Sequence, residues 1–200
     1  MTAIFQPAAA ELNAEAELKL RCDSQSLSFY SDIASFISRH IKGQQAFDML
    51  DVGARTAAGT ALLRAIHHPN SFARLKLNSV TALDLDAEAL RLAALEYPDI
   101  NYIARDVESL KGERSWDIVL SSHTIEHVDD PQHFLADLEA VARRHVVIAC
   151  PFAEVALTMG HVRRFNLDFF ERNDFREIEV YRSQHWHGGM ACIAIKDVAG

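Results

Sequence analysis

The chain has 200 residues, 49% of them hydrophobic and 24% charged, which is enough apolar content to core one domain and hardly enough for two. Its 20 basic and 28 acidic residues leave a net charge of −8, which opposes non-specific attraction to nucleic acid or an anionic membrane surface and favours small molecules or proteins as partners. No run approaches the roughly 20 apolar residues of a membrane span, and the first residues lack the charged and apolar regions of a signal peptide, so a cytoplasmic protein is expected.

Residues 1–27 are rich in Ala and Glu and are expected to form an N-terminal extension to a domain spanning residues 28–200. From Ser28, the residues Phe29, Ile33, Phe36, Ile37 and Ile41 recur at helical spacing, with Ser26 or Ser28 placed to cap the helix and Gly43 beyond its end. The run from Phe47 ends in Asp51 and passes through Val52 and Gly53 into a helical pattern from Ala57 to Ile66, which predicts a buried strand turning into a helix. A helix N-terminus leaves backbone N–H groups unpaired and a glycine lets a ligand approach the chain, so this junction suits a polar cofactor. His67-His68-Pro69-Asn70 breaks the pattern, and its two histidines read as a solvated helix end.

A second strand, Ser79 to Asp84, ends in an acid whose paired acceptor sites match two ribose hydroxyls, and Asp86 is placed to cap the helix from Ala87 to Glu96. A third strand, Asn101 to Asp106, again ends in an acid, and a fourth runs from Trp116 to Ser122. Asp130-Pro131 then opens a helix whose Phe134, Leu135, Leu138, Val141 and Ala142 face the sheet. His145 to Pro151 is a fifth strand, followed by a short helix around Leu167 to Glu171 with Asn166 as its cap. Glu177 to Tyr181 and Met190 to Ile195 read as an antiparallel hairpin, whose loop residues His185, Trp186 and His187 either line an acceptor pocket or cover the sheet edge. Cys22, Cys150 and Cys192 lack C-x-x-C spacing, and the last two sit in apolar runs, as buried thiols in a reducing compartment do.

Asp51-Val52-Gly53 resembles the first half of motif I of the class I S-adenosylmethionine-dependent methyltransferases, an acid followed by three alternating glycines. Arg55 and Ala57 stand where that family usually has the second and third glycine, and Arg55 there needs a backbone conformation that glycine reaches more easily. Three strands ending in Asp51, Asp84 and Asp106 are more specific than any one of them. The resemblance covers about Ser28 to Lys196. It implies an α/β, Rossmann-like fold, a seven-stranded mostly parallel sheet with a C-terminal antiparallel hairpin and helices on both faces. It also implies S-adenosylmethionine as cofactor and methyl transfer to a hydroxyl, amine or carbon of a small-molecule acceptor such as a sugar or lipid-like metabolite. Asp51, Gly53, Ala54, Arg55, Asp84 and Leu85 would border the cofactor. Asp106 would accept from the adenine amine or else cap a helix, the Val107 backbone would meet a ring nitrogen, and Ser122 would lie under the transferred methyl group. Phe29 and Tyr30 either touch ligand or pack the core.

His123 follows the strand-four segment of that family. Imidazole is suited to removing a proton from an acceptor near neutral pH, which makes His123 the first candidate for the base and His127 the second, although Glu126-His127 also serves packing or capping at this turn. Gly160-His161-Val162-Arg163-Arg164-Phe165-Asn166 resembles the family's Gly-His-x-x-x-Phe-Thr segment. His161 would therefore bind substrate or assist proton removal, while Arg163 and Arg164 hold an anionic group or form a solvated turn. His123, Glu126, His127 and His161 also resemble the metal-binding set of the small-RNA 3′-end methyltransferases, with His123 replacing a glutamate and Val128 a histidine; no metal is expected. Three other readings are a scaffold or ligand-binding protein with a degenerate methyltransferase fold, a metal-assisted RNA 3′-end methyltransferase, and an NAD oxidoreductase. The last is disfavoured because 31 positions separate Gly53 from Asp84, against roughly 20 in a dinucleotide fingerprint.

Overall fold

The computed structural model describes residues 24–43, 45–112, 116–157, 159–183 and 189–198; Cys22 and the loop residues His185, Trp186 and His187 lie outside them. The chain divides into two compact units, Met1–Asp106 and Val107–Gly200. In the first, helix α1 (Ser24–His40) precedes strand β1 (Ala46–Val52), helix α2 (Ala58–Ile66), strand β2 (Lys76–Asp84), helix α3 (Ala87–Glu96) and strand β3 (Asn101–Ala104). β1 pairs with β2 and β2 with β3, both parallel. Phe47, Met49, Leu50, Asp51 and Val52 are all buried, the continuous burial expected of a parallel strand covered on both faces.

The second unit holds strand β4 (Trp116–Ser122), helix α4 (Pro131–Val141), strand β5 (Ala142–Pro151), helix α5 (Leu167–Arg172), strand β6 (Glu177–Arg182) and strand β7 (Met190–Asp197). β4 pairs parallel with β5, while β7 is antiparallel to both β5 and β6. The seven strands form one sheet in the order β3-β2-β1-β4-β5-β7-β6. This is the Rossmann-like methyltransferase architecture expected from the sequence, with its C-terminal antiparallel hairpin.

Local chemistry accounts for most element boundaries. Asp86 accepts from the N–H groups of Glu88 and Ala89 and caps as expected, while Asp130, where Asp130-Pro131 was expected to open a helix, accepts from those of Gln132 and His133 with Pro131 at the first helical position. Other expectations are corrected. α1 begins at Ser24, so Ser26 and Ser28 are helical and not caps. Asn166 stands at the N-cap position of α5 but makes no side-chain cap bond. Ala142 belongs to β5 and not to the preceding helix, β3 stops two residues short of Asp106, and β2 starts three residues earlier than Ser79. His67 is not solvated. Its ring is wholly buried with Nδ1 3.3 Å from the Leu75 carbonyl, and burial first of all holds its pKa below the ordinary histidine value.

α1 packs closely on α2. A Cβ built on Gly59 would stand 2.2 Å from Tyr30 Cδ2 and 2.3 Å from Cγ, so only glycine lets the ring lie on the first turn of α2. Gly59→Ala is expected to lower stability by roughly 1–3 kcal/mol, as overpacking of a filled core does. In urea denaturation the combined Tyr30→Ala, Gly59→Ala variant should lose less than the sum of the two single changes; strict additivity would show that ring and glycine do not oppose each other.

Candidate active site

In the first unit, the loop between β1 and α2 is built on left-handed backbone. Gly53, Arg55 and Ala57 have φ of 80°, 50° and 54°, so the alternating positions at which glycine was expected all take the conformation that favours glycine. For Arg55 and Ala57 this costs about 1–2 kcal/mol each. At Ala57 the cost is offset by burial: its methyl group is fully covered within a cluster that includes Ala82, Leu90, Ala93 and Tyr102, worth about 0.8 kcal/mol for a buried methylene-sized group. Arg55 keeps its side chain in solvent, and its compensation comes from the backbone, whose N–H donates to Asp84 Oδ2 at 2.7 Å.

Asp84 thus stitches the loop to the end of β2. Its other oxygen, Oδ1, accepts from the Asp86 N–H at 2.9 Å, and the Gly53 and Ala54 N–H groups both donate to the Leu83 carbonyl, at 2.8 and 3.1 Å. The carboxylate is only half-buried, and the next side chain, Leu85, is 73% exposed, an apolar surface standing beside a charged acceptor at a strand end. Asp106 is exposed and lies just past β3, while Val107 is buried and opens a 3-10 turn, Val107–Leu110.

Asp51 differs from Asp84 and Asp106 in being wholly buried. The Tyr30 hydroxyl donates to both of its oxygens, at 3.0 and 2.9 Å, and the Thr60 hydroxyl donates to Oδ2 at 2.5 Å. Burial drives its pKa up to about 7; the Thr60 and Tyr30 hydrogen bonds pull against that rise, and the nearby Asp84 charge adds to it. Tyr30 and Phe29 are buried in this unit's core, in keeping with the packing reading of the two aromatics. The links from Tyr30 and Thr60 to Asp51 escape a reading of the sequence because they join positions 21 and 9 residues apart. The small pair Gly59-Thr60 at the start of α2 was the available signal.

In the second unit, β4 ends in Ser121 and Ser122, both buried, and His123 turns out of the strand with φ of 52° while its N–H donates to the Ala149 carbonyl of β5. His123 Nδ1 stands 3.3 Å from Glu126 Oε1. The 3-10 turn Ile125–His127 follows, with Glu126 fully buried and His127 exposed. His127 Nδ1 lies 3.1 Å from the Gly160 carbonyl, and its ring meets that of His161 edge to face at 4.9 Å between centroids. His161 is buried, and its Nδ1 is 2.9 Å from each oxygen of Glu154, a partner that no sequence motif marked.

The loop carrying Glu154 and His161 is held at both ends. The Ala153 N–H donates to the Phe165 carbonyl, and Phe165, Phe169, Phe170 and Phe175 stack edge to face behind it. The N–H groups of Val162 and Arg163 both donate to the Glu126 carbonyl. Arg163 and Arg164 direct their guanidinium groups to the carbonyls of Asp129 and Val155. Within the second unit the rings of His127 and His161 are thus in contact, while His123 faces Glu126. Cys150 and Cys192 face each other across β5 and β7 with their sulfurs 3.6 Å apart, and burial pushes the Cys150 thiol well above the usual range.

A family model described as a methyltransferase domain matches residues 50–150. No curated protein matches the chain. Among solved structures, the N-methyltransferase NodS of Bradyrhizobium japonicum, bound to S-adenosylhomocysteine, is similar with a TM-score of 0.68 at 14% identity over 93% of this chain and 97% of that one. A Burkholderia thailandensis 1,6-didemethyltoxoflavin N1-methyltransferase gives 0.66 at 16% identity, covering 97% and 94% of the two chains. The magnesium protoporphyrin IX methyltransferase of Synechocystis with bound S-adenosylmethionine gives 0.64 at 11% identity, covering 96% and 87%.

The Asp51 environment sets a pH dependence. With its folded-state pKa near 7 and the ordinary value at 3.8, the folded chain keeps a proton that the unfolded chain releases. This group's stabilising contribution is complete below about pH 4, declines between about pH 4 and 7, and is flat above. Asp51→Asn removes that titration. Across this window the variant should gain stability relative to the parent by an amount on the order of 4 kcal/mol, read by urea denaturation. A difference that does not change with pH would mean that Asp51 is ionised throughout.

Proposed function

We infer the activity from one premise: the chain belongs to the methyltransferase-domain family, the S-adenosylmethionine-dependent enzymes whose fold it has. We propose that it transfers the methyl group of S-adenosylmethionine to a hydroxyl, amine or carbon of a small-molecule acceptor, with residues 28–200 as the catalytic domain and the cytoplasm as its compartment. The observation that carries this reading is the loop after β1, which keeps left-handed backbone at positions 53, 55 and 57 although only the first is glycine.

Asp84 would accept from the ribose hydroxyls with the lone pairs it does not spend on Arg55 and Asp86. Leu85 would lie against the adenine, Asp106 would accept from its amine, and the Val107 N–H would reach a ring nitrogen. Gly53, Ala54 and Arg55 would follow the methionine portion along the loop, with Asp51 holding that loop from beneath. The sulfonium methyl is already activated, so positioning the acceptor in line supplies most of the acceleration.

At the carboxyl end of β4, His123 would take the proton from the acceptor, with the Glu126 carboxylate steadying the positive charge that forms on its ring. Ser122 would lie under the transferred methyl. His127 and His161 would border the acceptor. The loop after β5 exposes Val155, Leu157 and Met159, which fits an acceptor with an apolar body better than a nucleic acid, as does the net charge. Among the described residues no helix is long and apolar enough to cross a membrane.

Calorimetric titration with S-adenosylmethionine and S-adenosylhomocysteine should show binding of both. Asp84→Ala should weaken it by about 1–3 kcal/mol, the effect of losing a polar contact to a partly buried acceptor. Absence of binding by the unaltered chain would instead favour the scaffold reading. Once a screen for S-adenosylhomocysteine release has identified an acceptor, His123→Ala is expected to lower turnover by roughly 100-fold or more with cofactor affinity unchanged. Unaltered turnover would remove His123 from the role of base.

A further inference from the structure

We infer that Glu126, His127 and His161 form a binding site for one divalent first-row transition-metal ion. One ligand atom from each of the three side chains lies within 4.8 Å of the other two. A dication with bonds of about 2.0–2.2 Å holds its ligand atoms roughly 3.4 Å apart at a tetrahedral angle, so a small rotation of the exposed His127 ring closes the site.

Two further observations point to a cation. Glu126 is wholly buried, yet among the described residues neither of its carboxylate oxygens has a hydrogen-bond partner; His123 Nδ1 approaches Oε1 at 3.3 Å without hydrogen-bond alignment. An ionised carboxylate withdrawn from water needs a compensating charge. Both imidazoles also carry the outer contacts that metal-bound histidines have. His161 Nδ1 is held by the Glu154 carboxylate and His127 Nδ1 by the Gly160 carbonyl, which fixes each tautomer and leaves Nε2 as the nitrogen for an ion. The hydrogen bonds from Val162 and Arg163 to the Glu126 carbonyl lock the two ligand-bearing segments into one frame.

Two imidazoles with one carboxylate suit zinc, manganese, iron or cobalt, whereas magnesium favours oxygen ligands alone. The exposed side at His127 leaves room for a water or an oxygen-bearing ligand on the ion. In a second grouping, Glu108, His133 and Asp137, a buried Asp137 oxygen is likewise without a hydrogen-bond partner among the described residues, but Lys111 Nζ stands 2.6 Å from Oδ1 and already supplies the compensating charge. Metal binding at the first site does not depend on the methyl-transfer reading, and its test reads the metal alone.

The full-length chain without an affinity tag, stripped with a chelator, would be titrated with Zn²⁺ and, for its visible absorption, with Co²⁺. One equivalent should bind, an equal concentration of Mg²⁺ should not displace it, and His133→Ala should leave it unchanged. Glu154→Gln should weaken binding about 10- to 100-fold by releasing His161. Glu126→Gln and His161→Ala should abolish stoichiometric binding, with circular dichroism confirming that each is folded; His127→Ala, at an exposed ring, serves if either is not. The inference is overturned if the unaltered chain binds no stoichiometric metal, or if Glu154→Gln and His127→Ala bind it as tightly as the parent.

Discussion

A buried carboxyl group at the end of β1 sets the terms for the packing around it. Asp51 has no access to water, so its oxygens must be satisfied from within, and they take the hydroxyls of Tyr30 and Thr60. Those three bonds join α1, β1 and α2. For the Tyr30 hydroxyl to reach Asp51, its ring has to lie on the first turn of α2, and for the ring to lie there residue 59 must carry no side chain. The loop between Asp51 and Gly59 therefore runs between two fixed ends. Its path is narrow, and left-handed backbone at three alternating positions is how the chain follows it.

That loop separates a backbone conformation from the residue type that usually supplies it. At Ala57 a buried methyl group offsets much of the strain, and at Arg55 a short hydrogen bond from the main chain to Asp84 does so while the side chain stays in solvent. Asp84 is thus both a structural clamp and an acceptor held at the strand end. In the second unit the same economy recurs with different chemistry. Glu154 and Gly160 orient two histidines, and the Glu126 main chain anchors the loop on which one of them sits.

The strands and the acids at their ends were legible because burial in a parallel sheet writes itself as unbroken apolar runs, and an acid that interrupts such a run stands out. Asp86 was legible as a cap, and Asp130-Pro131 as a helix start, because both signals are local. What could not be read was set by contacts between distant positions. The burial of His67 depends on Leu75 and on helix packing, so its neighbour Pro69 and the polar stretch around it pointed the wrong way. Glu154 sits in a loop without pattern, and nothing in its neighbours announces that it faces His161. The departures at Arg55 and Ala57 were visible as letters, but their backbone angles were not.

The contact between Tyr30 and Gly59 also constrains how this chain can diverge. Any larger residue at 59 has to wait for a smaller one at 30, and a smaller one at 30 surrenders the hydroxyl on which Asp51 depends. The order of change is therefore forced: the acid must be replaced or newly partnered first, and only then do the other two positions become free to drift. Lineages that keep Asp51 buried should inherit the tyrosine and the glycine as a linked pair.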